Sequence, residues 1–293
     1  MKKILLLGSN GQLGSDIIKI FTKSENINLL PIYRKDLDIE KWKTIYRKLK
    51  KYTNIDYIIN CASYNKTDEC EDNIKKTFDI NSLAVQEIAK FCSSRDITFI
   101  HISSDYVFDG NKNSPYNEED APNPLNVYGF SKLAGEDFAK HYAKKHFIFR
   151  VSSLFGIAGS TEKNQNFVEK ILKSAKEKKQ LKIVADQFMS PTHTLDVART
   201  IKVIITNEIK DYGIYHVCNS GFCSWYEFVK SILEFSSNNA NLSKTTYDKY
   251  VTKAKRPKYS VLNNTKISKY YKMPRWKKAL QEYLKIRNSL DIK

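Results

Sequence analysis

No run of apolar residues in this 293-residue chain approaches the roughly 20 needed to cross a bilayer, so no membrane-spanning segment is expected. Met1-Lys2-Lys3 followed by Ile4 to Leu7 has the look of a secretory leader, but the apolar stretch is too short and runs into a glycine loop. A cytoplasmic location is expected. Cysteine is scarce. Cys61, Cys70, Cys92, Cys218 and Cys223 are odd in number, lack a Cys-x-x-Cys pair and have no histidine cluster beside them. That spacing argues against a zinc or redox centre and for reduced, mostly buried thiols; no metal site is expected. Acidic residues are outnumbered, 32 Asp and Glu against 49 Lys and Arg, for a net charge of +17. Such a charge can mark a nucleic-acid binder. Here the lysines are dispersed, several on what read as solvated helix faces (Lys170, Lys173, Lys176, Lys178, Lys179), and no nucleic-acid module is present. A basic surface would instead help attract a phosphorylated small molecule.

The length suits one large domain or two of unequal size, and 41% hydrophobic and 12% aromatic residues fit a globular protein with a substantial core. The first 150 residues alternate strand-like and helix-like segments. Strands are expected at Ile4–Leu7, Asn28–Tyr33, Tyr57–Asn60, Thr98–Ser103 and Phe147–Val151. Helical patterns run between them at Gln12–Lys23, Glu40–Lys51, Ile74–Ser93 and Tyr128–Lys145. This alternation predicts an α/β fold, a doubly wound parallel sheet with its binding crevice at the carboxyl ends of the strands. After Arg150 the pattern loosens. A helix near Asn166–Lys178 is expected, and 151–293 reads as a smaller α+β substrate lobe closing over the crevice, with 181–184 and 213–218 returning to the sheet.

Two motifs carry chemistry. Lys3 to Leu7, then Gly8-Ser9-Asn10-Gly11-Gln12-Leu13-Gly14, then Ile17, Ile18 and Phe21 at helical spacing is a strand, a glycine turn and a helix. In that context Gly8 makes the tight turn, Gly11 admits a pyrophosphate, and Gly14 lets helix and sheet pack closely. The helix start at Gln12 and Leu13 offers unpaired N–H groups and the positive end of a dipole. At the end of the second strand, Tyr33-Arg34-Lys35 provides a cation where an NADH-binding chain would carry an acid, which favours NADPH, with NADH as the alternative. The second motif is Tyr128-x-x-x-Lys132, which places a phenol and an ammonium on one helix face. A nearby ammonium draws a phenol toward the range where general acid–base catalysis is efficient.

These motifs, with the serine pair Ser103-Ser104, resemble the extended short-chain dehydrogenase/reductases. Finer matches resemble the dTDP-4-dehydrorhamnose reductase family, almost end to end. They are Ile102-Ser103-Ser104-Asp105-Tyr106-Val107-Phe108-Asp109-Gly110, the block from Pro124 to Glu136, Leu37-Asp38-Ile39, the Asn60–Tyr64 segment, Asp186-Gln187 with Pro191-Thr192, Gly213 to His216, Arg256-Pro257 and Met273-Pro274-Arg275-Trp276. The resemblance implies that Tyr128 donates a proton and that Lys132 lowers its pKa and binds the nicotinamide ribose. It implies that Ser104 polarises the substrate carbonyl while Asp105 contacts the sugar. Asp38 and Ile39 would flank the adenine, Ala62, Ser63 and Tyr64 would line the middle of the cofactor, and Ile102 would complete its site. The implied reaction is NADPH-dependent reduction of the 4-keto group of dTDP-4-dehydro-6-deoxy-L-mannose to dTDP-L-rhamnose for surface polysaccharide, with a homodimer as the possible assembly. Two other readings stay open: a reductase or epimerase-reductase of another nucleotide-linked keto sugar, and a non-catalytic regulatory subunit of the same fold.

The chain departs from the family at three points. Ser153 stands where a tryptophan contacting the sugar nucleotide is common, and Met189 and Ser190 replace a glycine and a variable residue. Ser15, with Asp16 beside it, occupies a position often acidic, so the Mg2+ bridge some relatives make between subunits is not carried over.

Overall fold

The computed structural model describes residues 1–160, 166–177 and 180–291. Six parallel strands form the central sheet: β1 (Lys2–Leu7), β2 (Ile27–Ile32), β3 (Tyr57–Asn60), β4 (Thr98–Ser104), β5 (His146–Val151) and β6 (Gly213–His216), in the order β6-β5-β4-β3-β1-β2. The chain leaves β1 for the outer strand β2 and returns on the other side to β3. That reversal opens a crevice at the carboxyl ends of β1 and β3, the place where open α/β sheets bind ligands.

Both faces of the sheet are buried, which is why its strands are continuously apolar rather than alternating. Ile4, Leu6, Ile59, Phe147 and Phe149 pack under α1 (Gln12–Phe21) and under the helix Thr194–Thr206. Leu5, Leu7, Ile58, Phe99 and Ile148 face the opposite layer, which includes α2 (Ala84–Ser94) and α3 (Val127–Tyr142). A third cluster around Phe155, Phe228, Trp276 and Tyr283 holds the C-terminal helices together. No helix among the described residues is long and apolar enough to cross a membrane.

The structure corrects three local expectations. Residues 181–184 do not rejoin the central sheet; Leu181–Val184 pairs in parallel with Leu242–Thr245 as a separate two-stranded sheet. The polar stretch after Asn238 supplies that partner, a long-range pairing that periodicity does not reveal. The expected helix at Glu40–Lys51 shrinks to Ile45–Leu49 after a 3-10 turn over Trp42–Thr44, with Ile45 and Leu49 as its buried residues. The expected helix at Ile74–Ser93 is broken into Ile74–Phe78, a π-helical turn over Asp79–Leu83, and α2. π-Turns insert one residue and re-aim a side chain, here Asn81. The helix expected near Asn166–Lys178 runs over Phe167–Lys176; Lys178 and Lys179 lie outside the described residues.

The segment before Pro257 clasps the sheet domain. Arg256 pairs with Asp68 at 2.7 Å, Lys253 with Asp72, and Asn126 Nδ2 donates to the Lys255 carbonyl.

Candidate active site

At the end of β1 the chain turns through Gly8 with φ +76°, a left-handed conformation that glycine adopts without strain. A Cβ there would lie 2.6 Å from the Ala62 amide nitrogen, and one on Gly14 would lie 2.3 Å from the Gly8 carbonyl oxygen. The loop is therefore pressed between β3 and α1 with no room for a side chain at Gly8 or Gly14. Gly11 is the N-cap of α1 and offers no side-chain cap. The first N–H groups of that helix are left to meet an anion. Gln12 sits beside them with a buried, unpartnered Oε1, while the Leu13 side chain packs into the core and offers the groove only its backbone. The cradle fits the diphosphate of a dinucleotide.

Along the crevice, Arg34 lies just past β2, largely exposed, paired with Glu40 at 2.9 Å and beside Asp38 at 3.5 Å. Ile39 packs on the core below. Past β3, one side chain organises the strand exit. Asn81 Oδ1 accepts from the Ser63 hydroxyl and the Tyr64 amide, and Asn81 Nδ2 donates to the Tyr64 carbonyl and to Ser131 on α3. Ala62 is held by its own donation to Asn60 Oδ1. The Tyr64 phenol turns away to Glu69.

α3 opens on Asn126, whose side chain accepts from the Gly129 amide, so Tyr128 falls in the first turn and Lys132 one turn on. The Tyr128 hydroxyl finds Ser104 and Ser63, and burial pushes its pKa up to about 12. Lys132 is 1% exposed and donates to the Ile102 carbonyl at 2.6 Å. Burial draws its ammonium down to about 8, partly offset by Glu136. Burial dominates the phenol, so its pKa goes up on balance, and the sunken Lys132 ammonium turns to a strand carbonyl. His101, 3.4 Å from the Lys132 amine, is held well below its usual pKa by burial and by that charge.

Ser104 Oγ accepts from the Tyr106 amide at 3.2 Å and donates to Asp105 Oδ1 at 3.1 Å. Asp105 is 3% exposed; Ser152 donates to Oδ2 at 2.8 Å and Ser260 is a further hydrogen-bond partner. Burial raises this carboxyl to about 6, against the pull of the three serines. Ser153, at the end of β5, is partly exposed with φ +45°.

The structure thus gathers the glycine loop, Ser63, Ile102, Ser104, Tyr128 and Lys132 at one edge of the sheet, with Arg34 and Asp38 at its outer end. Asn81, His101, Glu136, Arg150, Ser152 and Ser260 were given no role by sequence reasoning. Glu136 had a signal, since it lies four residues beyond Lys132 on the same helix face. Ser260 had none, being 155 residues from Asp105 in the chain. All five cysteines are free thiols. His193, Asp196 and Glu282 bring potential metal-ligating atoms within 4.8 Å of one another, but Arg199 already pairs with both carboxylates. Asp16 is likewise taken, by the Thr194 hydroxyl.

Residues 1–288 match the family described as the RmlD substrate binding domain. The chain belongs to this family. A spore coat polysaccharide biosynthesis protein of Bacillus subtilis, SpsK, is 36% identical over 290 residues, 99% of each chain. Among solved structures, a dTDP-4-dehydrorhamnose reductase of Clostridium acetobutylicum is 34% identical with a TM-score of 0.91, over 98% of this chain and 99% of that one. A dTDP-4-dehydrorhamnose reductase of Bacillus anthracis in complex with NADP is 32% identical, also with a TM-score of 0.91, over 98% of this chain and all of that one. The RmlD family is the one the motifs pointed to, and the RmlD-family fold is the parallel α/β sheet they implied. This RmlD-family chain is a reductase of the nicotinamide-dependent kind.

Proposed function

We propose that the protein reduces the 4-keto group of dTDP-4-dehydro-6-deoxy-L-mannose with NADPH, giving dTDP-L-rhamnose for a surface polysaccharide. The observation that carries this reading is the meeting of the Tyr128 phenol with the Ser104 hydroxyl at the end of β4, one helical turn from the buried Lys132 ammonium. The names of the solved relatives support the substrate, and the polysaccharide role of SpsK supports the destination.

Ketone reduction adds a hydride to carbon and a proton to oxygen. NADPH would supply the hydride when bound; the loop from Gly8 to Gly14, Ser63 and Lys132 would hold it, and Arg34 would favour its 2′-phosphate. Tyr128, with a pKa near 12, is fully protonated at neutral pH and is therefore available as an acid. An alkoxide is a stronger base than a phenolate, so proton transfer from Tyr128 to the forming alkoxide runs downhill. Lys132 stabilises the negative charge left on the phenol while it remains an ammonium.

The test is the loss of NADPH absorbance on adding the dTDP-keto sugar. Folded protein that binds NADPH but does not turn over would sink the assignment. Tyr128→Phe should lose turnover by about 100-fold or more, the scale of a general acid, while NADPH still binds. One observation favours a second reading: Ser153 leaves a small side chain where relatives commonly place an aromatic against the sugar nucleotide. A different nucleotide-linked keto sugar would then be preferred, and a panel of dTDP- and UDP-keto sugars distinguishes the two.

A further inference from the structure

We propose that Asp105 is a positioning residue that sets the direction of the Ser104 hydroxyl, rather than a group that touches the sugar. The proposal rests on the reductase reading above and assigns the Ser104 proton within it.

Asp105 is buried where three parts of the chain meet. Ser104 comes from the end of β4, Ser152 from the end of β5, and Ser260 from the C-terminal segment. Ser260 is itself pinned by its amide to the Phe188 carbonyl. With 3% exposure and serine hydroxyls on both oxygens, the carboxyl has little surface left for a ligand.

Ser104 has one proton and two lone pairs. The Tyr106 amide fills one lone pair. The remaining proton and lone pair face Asp105, which is in hydrogen-bond reach, and the neighbouring Tyr128 phenol. When Asp105 is a carboxylate it can only accept, so Ser104 donates inward and its lone pair takes the Tyr128 proton. Both hydroxyls then point away from a ketone. When Asp105 carries a proton it donates to Ser104. The Ser104 proton then turns outward to the ketone oxygen, and that of Tyr128 is free to be transferred. The neutral carboxyl is therefore the productive form for reduction.

Three titratable groups face Asp105: Tyr106 in its own turn, Tyr128 on α3, and Cys218 after β6. Burial pushes all three up, Tyr128 and Cys218 to about 12, so none of them titrates where Asp105 does. Lys132, near 8, adds a separate step at higher pH.

The experiment measures kcat and KM for reduction against pH in the wild type, Asp105→Asn and Ser152→Ala. Wild-type kcat should fall in a step near pH 6, where the carboxyl ionises. In D105N the amide cannot ionise, so that step should vanish with KM little changed. In S152A the carboxylate loses a donor, so the step should move to higher pH. A D105N protein that keeps the step but raises KM about tenfold or more would overturn the proposal, because that is the mark of a lost substrate contact. S152A with an unmoved step would also overturn it. A readout free of substrate separates this proposal from the choice of sugar. The infrared carbonyl band of a protonated carboxyl should be present at pH 5, lost by pH 7 and missing from D105N. Absence of that band in the wild type refutes the role of Asp105. Its presence without turnover supports the titration and instead refutes the sugar.

Discussion

Glu136 and Arg150 form an ion pair closed off from solvent, 0% and 2% exposed, with Arg150 Nη2 2.7 Å from Glu136 Oε2. Ser103 adds a donor to Glu136 Oε1, and the guanidinium lies over Phe108. The pair bolts α3 to β4 and β5, so the helix carrying Tyr128 and Lys132 is seated by charge as well as by packing. Glu136 also raises the pKa of Lys132.

Breaking that pair from one side strands a buried charge. Glu136→Gln or Arg150→Met should destabilise the fold by about 3–5 kcal/mol, and the double variant Glu136→Leu/Arg150→Met should lose less than either single change. Urea denaturation of the three proteins checks this. Singles that unfold with the wild-type midpoint would refute it.

Lys132 trades stability for chemistry. Its folded pKa of about 8 lies below the unfolded 10.5, so the folded state carries a penalty at neutral pH. That penalty shrinks as pH rises from about 8 to 10.5, where the unfolded chain also loses its proton. The shift corresponds to about 3 kcal/mol, of which the lost bond to Ile102 returns about 1. Lys132→Met should therefore abolish turnover yet raise Tm at pH 7, with the gain fading toward pH 10.5. A lower Tm at pH 7 would contradict the burial argument. Wild-type turnover should fall as pH passes 8, when the ammonium is lost.

Gly14→Ala would drive a methyl to 2.3 Å from the Gly8 carbonyl. The loop must open, so NADPH affinity should fall at least about tenfold, as expected when a close backbone approach is lost. Fluorescence titration with NADPH reads this directly. Unchanged affinity would show that the loop is not the diphosphate cradle.

Arg34→Ala should raise the KM for NADPH roughly tenfold and leave that for NADH nearly unchanged, since only the former has a 2′-phosphate for the guanidinium to meet. Equal changes for both cofactors would remove Arg34 from the 2′-phosphate and leave it as the partner of Glu40.

Much of this architecture could be read before any coordinates. The glycine spacing predicted a tight loop, and the structure shows no room for a side chain at Gly8 or Gly14. The apolar runs at 4–7, 57–60 and 147–151 predicted buried parallel strands, because a two-sided core demands them. Tyr128 and Lys132 were expected on one helix face, and they lie there. Other features were hidden for physical reasons. The π-turn that aims Asn81 at Ser63 and Ser131 leaves no periodic trace, and residues 181–184 found their partner in a polar segment with no strand signature.

The family resemblance and the parallel sheet were legible in the sequence alone, as were the phenol, the amine and the serine of the proposed site, because motifs and apolar runs are local features of the chain. Tertiary structure decided where the protons and charges rest. The Lys132 ammonium turned to Ile102, Asp105 was enclosed by serines from three distant segments, and Arg150 was buried against Glu136. Those outcomes depend on burial and on partners brought together across the chain, and the cost of burying a charge is set by the surroundings that folding builds around it.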